Sequence, residues 1–344
     1  WFKTEGSTRM RNAHNDVARV HAQVMELLDA GDNYQHGYRA VLSAPSNIPA
    51  AAEKHNPVLI ATYQGDPLLI HLDRLPEMPA GWITGSAENP VALEDLFGDF
   101  LKKHPGPSYE TFAADADRGF VPVETAHFDG VIQWSGNLRA TKLVLHNVGE
   151  SIEMIEDSGS LLIDLPGHGL SGDISDKAAL ADWAEVIKTT LTNLGATSIN
   201  CVSGDQISAL LALAIAKTIG AECVCATNAH IPVDGDNWQA AQPDLTPDRY
   251  GNYLTRAWQV VRTGQFFWPW FEAKNTNAIE FTNKEIDPEY LAIAHRALLR
   301  ARSRAQLTKL LLSADKAKLV AGAPKISEWH LATWAKDRTD IWRP

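Results

Sequence analysis

The sequence lacks any apolar run near the roughly 20 residues that a helix needs to cross a bilayer. Its first residues, Trp1 to Glu5, do not form a signal peptide. Positive charge is scarce as well, since the formal net charge is −11, whereas nucleic acids and anionic membranes bind clustered lysine and arginine. We therefore expect a cytoplasmic protein whose partner is neither a membrane nor a nucleic acid.

Cysteine is also rare in this chain. The three cysteines, Cys201, Cys223 and Cys225, lie in apolar runs that predict buried strands. An odd number of cysteines without metal-ligand spacing is typical of reduced thiols in a reducing compartment. The sequence therefore predicts three thiols and no zinc site.

Length and composition set the class of protein. The 344 residues are enough for one large α/β domain with a cap, or for two smaller domains. Hydrophobic residues make up 45% and charged residues 21%, a balance typical of globular chains and not of disordered ones.

Strand and helix patterns alternate through the middle of the chain. Short apolar runs, typical of buried strands, alternate with longer amphipathic stretches that are typical of helices. Such alternation predicts a mostly parallel, doubly wound sheet with helices on both faces. The predicted strands cover residues 130–134, 142–146, 160–164, 199–203 and 223–227, and the predicted helices cover residues 177–194 and 206–219.

The other segments complete the predicted domain layout. Residues 1–44 show helical periodicity, and residues 235–344 are rich in Trp and Phe without a convincing strand, so both are predicted as helical cap segments. A separate helical domain is the alternative for the second of them. The stretch at residues 106–122 is rich in Pro, Gly and Asp and predicts a linker. Residues 45–105 and 123–234 are then two halves of one sheet core.

A sequence repeat links the two ends of the chain. The Trp-rich residues 257–271 are similar to residues 333–344 continued by residues 1–3. Asp287-Pro288 likewise matches Asp16-Val17, and an apolar helix pattern follows each pair. The repeat predicts that the two ends are neighbours, within one chain or across a dimer that exchanges halves. Chance similarity between Trp-rich helices is the alternative.

The most specific motif runs from Asp164 to Ser171. A buried strand ends in Asp164, and Pro166-Gly167-His168-Gly169 follows directly. This run resembles the D-x-P-G-x-G-x-S segment after the fourth strand of α/β hydrolases. The resemblance implies a structural segment, in which His168 is a packing and turn residue and not a catalyst.

The strand before this motif ends in His146-Asn147-Val148. These residues resemble the H-G-x-G loop after the third strand of α/β hydrolases, whose backbone N–H groups help to form an oxyanion hole. The resemblance implies a loop beside the site, with His146, Asn147 and the N–H of Val148 facing the substrate. Asn147 stands where the family has Gly, so the match does not establish a competent hole.

The run Ser203-Gly204-Asp205-Gln206 resembles the nucleophile elbow of the same family. Alignment of the helix that follows places Asp205 at the nucleophile position and Gln206 beside it as an oxyanion or substrate-binding residue. Haloalkane dehalogenases and epoxide hydrolases of this fold use such an Asp to form an ester, which water then cleaves. The alternative is that Asp205 only caps the helix.

The resemblance extends to residues 45–105, in an unexpected order. A strand at residues 57–61 and the following Gly65-Asp66-Pro67 resemble strand seven and its acid loop, which makes Asp66 the candidate triad acid. A strand at residues 81–84 and a helix at residues 91–103 resemble strand eight and the last helix. Because these segments precede the first strand, the resemblance implies a circularly permuted chain.

The catalytic base of the family has no counterpart at its usual place. Ile83 occupies the position where the family has His. Without an imidazole to activate water, hydrolysis of an ester intermediate is slow. His230, after the sixth strand, is the first substitute, and His71 and His146 are weaker ones.

The resemblance therefore implies an α/β-hydrolase-type enzyme with a helical cap and no cofactor. Its substrate would be a small organic molecule with an ester, an epoxide or a carbon–halogen bond. A catalytically degenerate binding protein and a cofactor-free lyase or isomerase are the alternatives, since both tolerate the absent His. The fold does not choose among these activities.

Overall fold

The computed structural model describes residues 17–44, 56–106, 117–157, 159–227, 241–267, 269–279, 286–315, 318–319, 321 and 325–330. The chain divides into two compact units, unit 1 (Trp1–Phe112) and unit 2 (Ala113–Pro344). Within the described ranges, no helix is both long enough and apolar enough to cross a membrane.

The described part of unit 1 consists of helices and a small parallel sheet. Its elements are α1 (Val17–Ala30), α2 (Asp32–Ser43), β1 (Val58–Tyr63), a 3-10 helix (Leu69–Arg74), β2 (Trp82–Ala87) and α3 (Pro90–Lys103). β1 and β2 pair in parallel along their whole length, and α3 packs on both. The side chain of Asn89 accepts a 3.0 Å hydrogen bond from the Ala92 N–H, and Pro90 opens α3. The helix predicted at residues 91–103 is thus confirmed.

Unit 2 contains a larger sheet with helices packed against it. Its described elements are β3 (Arg118–Thr125), β4 (Phe128–Gly136), β5 (Lys142–Leu145), a 3-10 helix (Ile152–Met154), β6 (Leu161–Ile163), α4 (Leu180–Asn193), β7 (Cys201–Asp205), α5 (Ser208–Ile219), β8 (Cys223–Thr227), α6 (Asn252–Gly264), a 3-10 helix (Asn275–Asn277), α7 (Pro288–Arg300), α8 (Arg304–Ser313) and β9 (Lys325–His330). The strand order is β3-β4-β6-β5-β7-β8-β9. β4 runs antiparallel to both of its neighbours, and the pairs from β6 to β9 are parallel.

The core of unit 2 lies on both faces of this sheet. β6 is buried throughout, and α5 is buried at every residue from Ser208 to Ala216. α5 is apolar on all sides because it packs against β7, β8 and α4 at once. This packing fixes the first turn of α5 at the end of β7.

The motif from Asp164 to Ser171 is a tightly packed turn. Gly167 and Gly169 adopt left-handed conformations, with φ of 64° and 50°. A Cβ atom on Gly167 would overlap the Ser303 side chain, and one on Gly169 would overlap the Asp164 carboxylate. His168 is fully buried between these residues. The predicted structural role of this segment is confirmed.

Strand pairing does not confirm the rotated order. β1 and β2 form a sheet of their own, and the place predicted for residues 57–61 in the larger sheet is occupied by β9 beside β8. The series α1, α2, β1 instead matches the series α7, α8, β9. α1 begins at Val17 and α7 at Pro288, which are the two residues that the sequence repeat aligns. Residues 1–3 and 333–344 of the repeat lie outside the described residues, so the predicted proximity of the two chain ends stays a prediction.

Two strands lie where the sequence predicts none. β3 begins at Arg118, inside the predicted linker at residues 106–122. Val121 and Val123 are buried in the core, but Pro122 and polar neighbours hide this alternation in the sequence. β9 lies within residues 235–344, which were expected to be entirely helical. Polar residues interrupt its short sequence, so it does not form the apolar run on which strand prediction depends.

The cysteine prediction is wrong for two of the three residues. Cys201 and Cys223 are register partners on the adjacent strands β7 and β8, and they form a disulfide. Neighbouring positions on paired strands bring two Cβ atoms within bonding reach, which sequence spacing does not show. Cys225 is buried and lies outside this disulfide.

Candidate active site

A cavity of about 670 Å³ lies in unit 2 where β5 and β7 end. Crevices at the carboxyl ends of parallel strands are the usual binding sites of open α/β sheets. The loop after β5 and the turn after β7 form its polar wall, and side chains from residues 260–298 form most of its apolar wall. The apolar lining includes Val260, Val261, Trp270, Ile279, Ala294 and Leu298.

The turn between β7 and α5 has a strained backbone. Gln206, with φ of 48°, is the only residue other than Gly in the left-handed region within the described ranges. A Cβ atom on Gly204 would lie 2.7 Å from the Ser208 carbonyl oxygen, so only glycine lets the helix approach the strand. The sequence alignment predicts Asp205 at this strained position. The structure places Gln206 there, and Asp205 is the last residue of β7.

In the sheet, β6 lies between β4 and β5, so the spatial order of β5 and β6 is the reverse of their order in the chain. A sharp, strained turn joins β7 to α5. Both features agree with the arrangement that the sequence motifs imply. Unit 2 has the α/β-hydrolase fold. The predicted fold class, a mostly parallel α/β sheet with packed helices, is thereby confirmed. The α/β hydrolases have their nucleophile at this strained turn, and in this chain Gln206 occupies it.

Asn147 joins the loop after β5 to the turn after β7. Its side-chain Nδ2 donates a 2.9 Å hydrogen bond to Oε1 of Gln206, and its backbone N–H donates one of 3.3 Å to Oε2 of Glu150. Asn147 is buried, and its Oδ1 atom has no hydrogen-bond partner among the described residues. This oxygen is therefore an acceptor at the cavity wall that a bound ligand could satisfy.

Glu150 is the site residue that the sequence analysis missed. Burial and, to a smaller extent, the negative charge of Asp205 together raise the pKa of Glu150 to about 7, against the hydrogen bonds from Asn147. Glu150 and Asp205 both line the cavity. An acidic residue three positions after Asn147, in the predicted loop beside the site, is the sequence signal that points to Glu150.

His146 is occupied by structural hydrogen bonds. Its Nδ1–H donates to the carbonyl oxygen of Asn147 at 2.8 Å, and its Nε2 accepts from the backbone N–H of Leu165 at 3.0 Å. Burial lowers the pKa of His146 to about 4, so the ring is neutral at physiological pH. It therefore holds the loop in place and has no free nitrogen for catalysis.

The other predicted site residues are only partly brought together. Val148 lines the cavity beside Asn147. Asp66 belongs to unit 1, where it accepts hydrogen bonds from the Thr62 hydroxyl at 2.8 Å and from the Leu68 N–H at 2.7 Å. These bonds make Asp66 a turn-stabilising residue after β1. His71 is exposed on the 3-10 helix of unit 1, and His230 lies outside the described residues.

No known family model matches the sequence. No curated protein matches it either. Among solved structures, the chain is similar to the N-acyl homoserine lactonase AidH, at 18% identity and a TM-score of 0.40, over 61% of this chain and 77% of that one. It is also similar to a thermophilic esterase from Thermogutta terrifontis, at 15% identity and a TM-score of 0.43, over 62% and 78% of the two chains. A lipase from Acinetobacter baumannii gives 14% identity and a TM-score of 0.42, over 68% and 85%. Because these values are low, the function is inferred from the residues of the site.

Proposed function

We propose that unit 2 is a hydrolase that uses two carboxyl groups to cleave a small organic substrate. Asp205 is the nucleophile, and Glu150 is the acid. The observation that supports this proposal is the pKa of Glu150, about 7, beside Asp205 in a cavity at the carboxyl end of the sheet. Two carboxyl groups whose environments separate their pKa values can divide acid and base roles between them.

In the first step, a carboxylate oxygen of Asp205 attacks an electrophilic carbon of the substrate. The carbon–oxygen bond breaks, and its electron pair goes to the leaving oxygen, which takes the proton of Glu150. With an epoxide, the products of this step are an alkyl ester on Asp205, a neutral hydroxyl group and an ionised Glu150. With an ester attacked at its carbonyl carbon, the products are an acyl anhydride on Asp205, a neutral alcohol and an ionised Glu150.

In the second step, Glu150 performs the task for which the family uses a His. Its carboxylate takes a proton from water, and the resulting hydroxide attacks the Asp205 carbonyl carbon of the ester or anhydride. The alkyl ester releases an alkoxide, which takes the proton of the new Asp205 carboxyl group. The anhydride releases a carboxylate, and the proton of the new carboxyl group goes to the solvent. In both cases the two side chains return to their starting states. The absence of a His at position 83 is therefore compatible with turnover.

Proton donation by Glu150 favours one substrate class. An alkoxide is a poor leaving group and gains from protonation, whereas a halide leaves without it. The pair therefore fits an epoxide or an ester better than a carbon–halogen bond. The large apolar part of the lining fits a substrate with a hydrocarbon or aromatic body.

Variants of the two carboxyl groups test the proposal on a panel of epoxides and esters. We expect Asp205→Asn to lower kcat by roughly 10³-fold and Glu150→Gln by roughly 10²-fold or more. Asp176→Asn and Glu153→Gln change exposed carboxyl groups outside the cavity and serve as matched controls. Full activity of the Asp205→Asn variant would remove the proposal.

A ligand-binding protein without turnover is the second candidate. The observation in its favour is Gln206 at the strained turn, with its amide oxygen held by Asn147. A neutral amide does not form the covalent intermediate of this fold. Tight binding of a panel compound with no hydrolysis at any pH would favour this reading.

A further inference from the structure

Arg304 stands in the wall of the cavity under conditions that disfavour a positive charge. Its side chain is 7% exposed, and it is the first residue of α8. The amino end of a helix carries a partial positive charge, which repels a cation. Burial acts in the same direction, and it lowers the pKa of Arg304 to about 10. The guanidinium is still protonated at neutral pH.

Neutral oxygen atoms hold this guanidinium. One terminal nitrogen donates a 2.6 Å hydrogen bond to Oε1 of Gln242, and the other donates one of 2.9 Å to the carbonyl oxygen of Pro243. No carboxylate of the described residues forms an ion pair with it. Arg302, two residues earlier, differs in this respect, because its guanidinium pairs with Asp173 at 2.6 Å.

The same cavity contains the two carboxyl groups of the proposed mechanism. Arg304 packs against the loop that carries Glu150, since a Cβ atom on Gly149 would lie 3.3 Å from Cδ of Arg304. Neither group is a cause of the other's pKa shift: burial alone lowers the pKa of Arg304, whereas burial and Asp205 raise that of Glu150. The lining of the cavity therefore includes a cation, Arg304, and two carboxyl groups, Glu150 and Asp205, and the rest of it is largely apolar.

We infer that Arg304 recognises an anionic group of the ligand, so that the substrate is a carboxylic acid with a reactive epoxide or ester elsewhere in the molecule. A buried guanidinium held by neutral acceptors gains most from a carboxylate, because a charge-assisted pair replaces the solvation that burial removed. The substrate class rests on the proposed function, whereas anion recognition by Arg304 does not.

Binding of two matched probes tests the inference without any turnover. 4-Phenylbutanoate and 4-phenylbutanamide have the same size and apolar body and differ in charge. Isothermal titration calorimetry of the full chain at pH 7.5 should show the acid binding at least about tenfold more tightly than the amide. Equal affinities, tighter binding of the amide, or no binding of either probe would overturn the inference.

Variants test whether Arg304 is the source of the preference for the acid over the amide. Arg304→Gln should lower the affinity for the acid to that for the amide, and Arg304→Lys should keep part of the preference. Lys309→Gln removes a positive charge from the exposed side of the same helix and should change neither affinity. If Arg304→Gln fails to fold, the comparison of the two probes on the unmodified chain and on Arg304→Lys still decides the outcome. A preference that survives in a folded Arg304→Gln protein would contradict the inference.

Asp205→Asn separates this inference from the proposed function. We expect that variant to lose turnover and to keep the preference for the acid. If the unmodified protein hydrolyses no panel compound but prefers the acid through Arg304, the proposed function fails and anion recognition stands. If turnover depends on Asp205 but the acid and amide bind equally, anion recognition by Arg304 fails and the proposed function stands.

Discussion

The side-chain amide of Asn147 donates a 2.9 Å hydrogen bond to the side-chain oxygen of Gln206. This bond connects the loop after β5, where an oxyanion hole is expected, to the strained turn after β7. Asn147 also donates from its backbone to Glu150. One residue therefore holds the side chain of Gln206 at the strained turn and lowers the pKa of the neighbouring Glu150.

The pH dependence of turnover should report the proton on Glu150. The proposed acid is competent below its pKa of about 7, so kcat/KM should fall as the pH rises above that value. The side-chain hydrogen bond from Asn147 lowers this pKa, so Asn147→Ala should move the alkaline limb to higher pH. A limb that is absent, or that moves to lower pH in the variant, would contradict the assignment of Glu150 as the acid.

Removal of the charge on Asp205 should move the pKa of Glu150 in the opposite direction. Asp205→Asn eliminates the charge that helps to raise this pKa, while burial, the larger cause, remains. We expect the pKa of Glu150 to fall but to stay above its ordinary value. Carbon-13 NMR titration of the Glu side chains in both proteins measures it, with Asp176→Asn as the control. An unchanged titration would show that the two carboxyl groups do not interact.

The buried His168 should make the fold sensitive to acid. Burial lowers the pKa of His168 to about 3, so the unfolded chain binds a proton below about pH 6.5 that the folded chain does not. Its contribution to stability is complete above pH 6.5 and is lost as the pH falls toward 3. Asp164 and Glu150, whose pKa values are raised, act with the opposite sign, so the slope must be measured against a variant.

His168→Gln provides that comparison. Between pH 7 and pH 5, the unmodified protein should lose about 2 kcal/mol more unfolding free energy than the variant. Urea denaturation at both pH values gives the difference. Parallel pH profiles for the two proteins would show that His168 is not buried in its neutral form.

The close approach at the turn after β7 should make Gly204 sensitive to substitution. A Cβ atom at this position would lie 2.7 Å from the Ser208 carbonyl oxygen and 2.9 Å from the Ala209 backbone. We expect Gly204→Ala to lower the unfolding free energy by about 1–3 kcal/mol, because helix and strand must separate. Gly159→Ala is a suitable control, since its nearest contact is an ordinary 3.6 Å to the Asp157 side chain. Equal stability of the two variants would contradict the described turn.

Local patterns predicted most of the sheet of unit 2. The apolar runs at residues 142–146, 160–164, 199–203 and 223–227 correspond to strands β5 to β8, because central parallel strands are buried on both faces and tolerate few polar residues. β3 and β9 are the strands that were missed. Each lies toward an end of the strand order, where polar residues and Pro122 are tolerated and the apolar run is interrupted.

The order of the segments could not be derived from the same patterns. Residues 57–61 were predicted to be strand seven. They form β1, which follows two helices along the chain, as β9 does, so the local prediction was reasonable. A duplicated series and a rotated one give the same local signals. Strand pairing places β9 beside β8 and β1 beside β2, which leaves the rotated order unconfirmed.

The sequence indicated the segments that line the cavity better than the chemical groups that these segments contribute. The loop at residues 146–148 and the turn at residues 203–206 both contribute to the lining of one cavity. A shift of one residue at the strained turn exchanged Asp205 and Gln206, because backbone conformation is not visible in a sequence. Glu150 and Arg304 were missed because their importance depends on burial and on neighbours distant in the chain.

Isotope transfer from water to Asp205 tests the central claim most directly. In the proposed second step, the water oxygen enters the carboxyl group of Asp205 and not the product of the first turnover. We predict that a single turnover in oxygen-18 water, with enzyme in excess over an epoxide that the chain hydrolyses, labels the peptide containing Asp205, as read by mass spectrometry. Label that appears only in the released product, with none on Asp205, would contradict nucleophilic attack by this carboxylate.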